Sequence, residues 1–368
     1  MRIATLVLPL LVMLVFGDSR DAWVIEESHT AANLRGIHAV NDSIAWASGT
    51  DGTALRTLDG GAHWEKCAIP PDAEKLDFRG VWAWDANNAM VMSAGPSELS
   101  RIYKTVDGCA HWTEELRNKD KDGFWDAMVF QSRDYRMLGD AQTGVLIGDP
   151  VGRHFHTETM MLGKGWFVDY SSCAANDGET AFAASNSSAV VFGSRRYVIG
   201  TGGKGGSRVL LSPLLAYQDT TKGCLGVSVP LASGSESAGV FSLAFRDLKR
   251  GVAVGGDYKK PGESEGTAAW TIDGGKHWTA AKKPPHGYRS SVAWDAKANV
   301  WIAVGTNGSD ISRDGGDTWQ SLDDGNWNAV SLPYVVGPGG RIGRKKWSQV
   351  SEFQRLPQVR SFRMAGLE

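Results

Sequence analysis

The chain has no CxxC pair, no dinucleotide-binding glycine fingerprint and no excess of charge of one sign. Its 39 basic and 41 acidic residues leave a net charge of −2, so no global positive field is present to hold nucleic acid or an anionic membrane. The four cysteines stand singly, at Cys67, Cys109, Cys173 and Cys224, which argues against a zinc knuckle and a thioredoxin-like redox site. Proline is scarce, 13 in 368 residues, so no polyproline tract exists. The stretch GTGGKGGS at 200–207 resembles a phosphate loop in composition only. The four-residue spacing before Gly-Lys is missing, and an apolar strand rather than a helix follows. No cofactor is expected. One apolar run stands out, IATLVLPLLVMLVF at 3–16. It is shorter than the ~20 residues of a membrane span and has the length of a signal-peptide core. Residues 1–20 are therefore expected to be a signal peptide or an N-terminal anchor. The protein is expected to be exported to a periplasm, cell envelope or extracellular space, touching a membrane only if that segment is retained.

Glycine, by contrast, is plentiful at 45 residues, and tryptophan reaches 15. Tight turns and large aromatics dominate. One pattern recurs four times, a hydroxyl residue, any residue, then Asp-Gly-x-x-x-Trp. The copies are TLDGGAHW at 57–64, TVDGCAHW at 105–112, TIDGGKHW at 271–278 and SRDGGDTW at 312–319. The aspartate accepts backbone N–H bonds inside its own turn. The glycine supplies a backbone shape costly for other residues, and the tryptophan folds back over the hairpin. Asp59, Asp107, Asp273 and Asp314 are therefore structural. Trp64, Trp112, Trp278 and Trp319 belong to the core.

A second pattern is a short apolar strand ending in glycine before a polar turn. Gly49, Gly95, Gly148, Gly200, Gly255, Gly305 and Gly337 end seven such strands, mostly about fifty residues apart. An apolar or alternating stretch precedes each: LRGIHAV, FRGVWAW, FWDAMVF, TAFAAS, VFSLAF, YRSSVAW and WNAVSL. Units of this length holding three or four short strands predict an all-β, seven-bladed β-propeller over residues 22–346. AWVIEE at 22–27 has no partner in the first unit. It is expected to close the ring by pairing with the last blade, whose own outer strand looks missing. Residues 347–368 form a basic C-terminal tail outside the pattern. Cys67 follows the first repeat's tryptophan and Cys109 lies in the next repeat. Cys67–Cys109 with Cys173–Cys224 is the expected pairing among three connectivities, with buried free thiols as the alternative.

The four-fold repeat resembles the Asp-box, or BNR repeat, of sialidases, other propeller glycosidases and non-catalytic propellers. FRGVWAWD, YRSSVAWDAKANVWIAVGTNGSDISRDGGDTW and WNAVSLPYVVGPGGRIGR resemble the photosystem II stability and assembly factor family and its bacterial relatives outside photosynthesis. That resemblance implies a seven-bladed scaffold that holds a partner through an arginine-rich face. Arg35, Arg79 and Arg289 match by position and are expected to point to one end of the channel, with Arg153 on the same binding rim. Asp126 in the third blade and Asn328 in the seventh interrupt the patch.

The expected function is an exported, non-catalytic binding module that assists assembly of an envelope or redox complex. Its partner would be a protein or a protein-bound cofactor. The alternative is a secreted glycoside hydrolase of Asp-box type acting on carbohydrate. That chemistry requires two carboxyls ~5–10 Å apart across one cleft, and Asp149 with Asp257 is the candidate pair. His154, His156 and Glu158 alternate along one strand without a further ligand nearby, so no metal site is expected.

Overall fold

The computed structural model describes residues 22–131, 143–161, 165–168, 173–192, 196–213 and 223–345. The expected leader at 1–20 and the expected tail at 347–368 lie outside the described residues. Seven antiparallel sheets follow one another along the chain. The first blade shows the plan: an inner strand Leu34–Ala39, then Ala45–Gly49, Ala54–Thr57 and the outer Glu65–Lys66. The other inner strands are Phe78–Ala83, Trp125–Phe130, Ala189–Phe192, Ala238–Phe245, Ser291–Asp295 and Ala329–Ser331. Beyond the strands, the described residues include one short 3-10 turn, at Ser97–Leu99.

The second strand of a blade reads as a continuous run of small apolar residues because neighbouring blades cover both of its faces. Ala45–Gly49 and Ala89–Ser93 are buried at every position, as expected for a strand with no solvent side. The core accordingly lies between blades. Trp46, Phe78, Val91, Tyr103 and Trp112 form one cluster spanning the first two.

Ring closure follows the sequence reading. Trp23–Glu26 pairs antiparallel with Ile342–Lys345, Trp23 opposite Lys345, and supplies the missing outer strand of the seventh blade. Trp23 Nε1 donates to Ser309 Oγ at 3.2 Å and Asp323 Oδ2 at 2.7 Å, on the sixth blade. Glu26 accepts from Trp64 Nε1 at 3.0 Å, on the first blade, and from Arg344 Nε at 2.7 Å. The closing strand thus fastens both flanking blades and covers the edge that Ile342–Lys345 would otherwise present.

The four repeated turns share one set of bonds. In the first, Gly61 N donates to Thr57 Oγ1 at 2.9 Å and His63 N to Asp59 Oδ1 at 2.9 Å. The counterparts run Cys109 to Thr105, His111 to Asp107, Gly275 to Thr271, His277 to Asp273, Gly316 to Ser312 and Thr318 to Asp314. The fifth residue of each turn has positive φ: 91° at Gly61, 86° at Gly275, 103° at Gly316 and 68° at Cys109. Trp64, Trp112 and Trp319 are buried, and Trp278 is half-buried. A disulfide joins Cys67 to Cys109 across the first two blades, Cα–Cα 5.3 Å. A second joins Cys173 to Cys224 between the third and fourth, Cα–Cα 4.7 Å.

One strand assignment is corrected. TAFAAS at 180–185 was expected to open the fourth blade. The inner strand is instead Ala189–Phe192, paired with Arg196–Gly200. Thr180 pairs with Gly202, and residues 183–187 cross to bond with the second, third, fifth and sixth blades.

A candidate binding pocket at the channel mouth

The pocket is built by a repeated irregularity. In four blades the register of the inner strand slips by one near its start: between Leu34 and Gly36, Phe78 and Gly80, Trp125 and Ala127, and Val240 and Ser242. The extra residues are Arg35, Arg79, Asp126 and Phe241. A bulge re-aims its unpaired side chain, and all four line one cavity of about 520 Å³. Ser290 and Asn328, immediately before the inner strands of the sixth and seventh blades, line it too.

The fourth blade contributes the crossing segment itself. Ala183 O accepts from Arg79 Nη1 at 3.1 Å. Ser185 Oγ donates to Ser290 O at 2.7 Å. The Asn186 side chain accepts from Met128 N at 2.7 Å and donates to Met128 O at 2.8 Å. Ser187 Oγ donates to Ser242 Oγ at 2.7 Å. One segment therefore ties the second, third, fifth and sixth blades together, and its residues 181–184 wall the cavity.

The cavity has a cationic side, an acidic side and an aromatic wall. Arg79 Nε contacts Asp77 Oδ2 at 2.8 Å. Arg35 makes no ion pair among the described residues; burial, with the charge of Arg79 beside it, weakens its hold on the proton. On the acidic side, Asp126 is 1% exposed, and its Oδ2 has no hydrogen-bond partner. Burial raises its carboxyl well above the ordinary range and the Asp149 carboxylate adds to this, with Arg79 opposing. Asp149 sits in a second bulge, between Gly148 and Pro150. Burial raises its carboxyl as well, against hydrogen bonds from Thr180 Oγ1 and from Ala181 N at 3.0 Å. Phe182 stacks on Phe241 at 3.9 Å, and Tyr288 meets Phe241 edge-on at 4.8 Å. Tyr258, partly exposed, completes the wall.

No family model matches this chain, and no curated protein matches it. Solved structures do. "YCF48 bound to D1 peptide" aligns with a TM-score of 0.58 at 16% identity, over 89% of this chain and 96% of that one. The WD40 β-propeller domain of Doa1 gives 0.58 at 12% identity, over 89% and 97%. YCF48 from Cyanidioschyzon merolae gives 0.43 at 15% identity, over 88% and 98%. The chain is a seven-bladed β-propeller.

On this propeller two of the three expected arginines meet. Arg35 and Arg79 face the cavity; Arg289 does not. It is fully buried and bonded to Asp310 Oδ2 at 2.6 Å, Asn307 Oδ1 at 2.6 Å and Tyr288 O at 2.6 Å. The reason is register. Ser290 occupies the lining position, so Arg289 falls one residue early and turns into the wall of the sixth blade. Arg153 is also displaced from the rim. It is exposed, 3.3 Å from Asp177, beside a separate depression of about 410 Å³.

Asp149 and Asp257 share neither cavity. Asp257 is held by Ser235 Oγ at 3.2 Å and Lys259 N at 3.0 Å. The carboxyls that line the cavity with Asp149 are Glu236, paired with Lys204 at 2.7 Å, and Asp126, visible in the sequence only as a break in an arginine pattern. Its pairing with Asp149 carried no sequence signal because it depends on two bulges. His156 Nε2 lies 3.0 Å from Glu158 Oε1, and its ring stacks on Trp125. Asp59 and Asp107 sit on exposed turns. Hydrogen bonds from His63 and His111 hold their carboxyls at about 2.

Proposed function

We propose that this protein is an exported, non-catalytic scaffold that takes a segment of a partner protein into the channel-mouth cavity. The carrying observation is the ring of bulge residues from separate blades, which gathers Arg35, Arg79, Phe241 and Asp126 around one concavity. A cavity of this size suits a few residues of an extended segment. Arginine forks and tyrosine rings are the side chains that most often anchor protein partners. The fold likeness to YCF48 bound to D1 peptide supports a peptide-like occupant. Two disulfides support work in an oxidising compartment, in keeping with the apolar run at 3–16. Assistance in assembling an envelope or redox complex is the role that suits a holder of partner segments.

The test is site-specific cross-linking in the native cell. A photoreactive residue replaces Tyr258, at the cavity's open side. The expected result is cross-links to a discrete protein segment, lost in an Arg35→Glu/Arg79→Glu background that still folds. Cross-links to no protein, or identical cross-links in that background, overturn the proposal.

A further inference from the structure

The acidic side of the cavity has no counterpart in an arginine-lined anion site. Asp126 and Asp149 face one space and influence each other electrostatically. Asp149 is supported by Thr180 and the Ala181 amide. Asp126 Oδ2 is not supported at all, although the residue is 1% exposed. A buried oxygen without a donor costs about 1–3 kcal/mol, and such atoms call for a specific explanation. Arg79, the cation whose charge acts on Asp126, is already engaged by Asp77 and Ala183 O. Among the described residues no set of three His, Cys, Asp or Glu is placed to hold a metal ion. Phe124 and Phe182 line the same space, and aromatic faces favour an organic cation.

We propose that the Asp126–Asp149 side of the cavity is a subsite for a lysine or arginine side chain of the bound segment, two blades along from Arg35, which takes an acidic one. This rests on reading the cavity as a peptide site and adds the chemistry of the peptide: a basic and an acidic group close together. A charge-assisted bond supplies the donor that Asp126 lacks. The guanidinium of Arg35, which has no ion pair among the described residues, gains a carboxylate in the same event. Two opposed charges at fixed places also set the direction in which the segment lies.

The probes are four capped tripeptides, Ac-Lys-Gly-Glu-NH2 and its versions with Gln for Lys, for Glu, or for both, titrated into the full protein by calorimetry or NMR. The expected result is at least tenfold tighter binding of the Lys-Glu peptide than of the Gln-Glu peptide. Asp126→Asn abolishes that factor while leaving the Gln-Glu peptide within about twofold. Arg35→Gln removes the preference for Glu and keeps the preference for Lys. Should Asp126→Asn fail to fold, Asp149→Asn carries the same comparison. Equal binding of Lys-Glu and Gln-Glu peptides, or a lysine preference that survives the aspartate substitution, overturns this inference and leaves the scaffold reading standing. Binding of none of the four overturns both.

Discussion

Arg79 and Asp126 hold the same place in adjacent blades: each is the extra residue of a bulge in the inner strand, and both face one cavity. The same backbone device delivers a cation from one blade and an acid from the next. Their charges interact, yet burial dominates the acid, whose carboxyl keeps its proton well above the ordinary range.

That retained proton sets a pH dependence. An unfolded aspartate titrates near 3.9. Between that value and the raised folded value the native state binds a proton that the unfolded chain releases, so stability falls as pH rises and levels off above the window. Each pH unit of the window is worth about 1.4 kcal/mol. Asp126→Asn removes this loss. Melting temperatures of the two proteins, measured from pH 4 to 8, should coincide near pH 4 and separate as pH rises, the variant being the more stable. Parallel curves would contradict the buried, proton-holding carboxyl.

Arg289 and Arg35 should separate structure from binding. Arg289→Ala removes a fully buried guanidinium and leaves the buried Asp310 with the His286 imidazole as its one remaining ion-pair partner, a change that should cost about 3 kcal/mol. Arg35→Ala breaks no ion pair among the described residues and should cost under about 1 kcal/mol while weakening capture of the partner segment. Urea unfolding of both variants checks the first half, and the cross-linking assay checks the second.

Cys109 occupies a slot that glycine fills in the other three turns, at φ 68°. Removing its disulfide as Cys67→Ala/Cys109→Ala should cost about 2–4 kcal/mol. Cys67→Ala/Cys109→Gly should recover about 1 kcal/mol of that, because glycine takes the left-handed region without the penalty of a Cβ. Equal stability of the two double variants in denaturant titrations would refute the strain argument.

The closing strand should behave as a latch. Glu26→Ala leaves Trp64 Nε1 and Arg344 without their shared acceptor and should cost about 1–3 kcal/mol. Deleting residues 1–27 bares the edge of Ile342–Lys345, and an unpaired edge recruits other chains. Light scattering should show self-association of the deleted form at concentrations where the full chain remains monodisperse.

The sequence by itself determined the number of blades, the turn chemistry and the closing strand. These follow from local rules repeated along the chain. A Gly-ended apolar strand is needed wherever both faces are covered, and a Thr-x-Asp-Gly turn satisfies its own backbone donors. The segment 22–27 could be assigned because an unpartnered strand and an incomplete last blade imply each other. What only the tertiary structure decided is which side chains reach the channel. A bulge shifts pairing by one residue, and one residue turns a strand side chain from one face to the other. Arg35 and Arg79 reach the cavity for that reason, while Arg289, one place early, is buried against Asp310. The crossing segment was invisible for the same kind of reason. TAFAAS alternates like a strand, and only the pairing of Ala189–Phe192 with Arg196–Gly200 shows that the residues after Thr180 are left to bond across blades. The Asp126–Asp149 pair depends on bulges in two strands of one blade, and the register that juxtaposes them is fixed by packing across blades rather than by residue spacing.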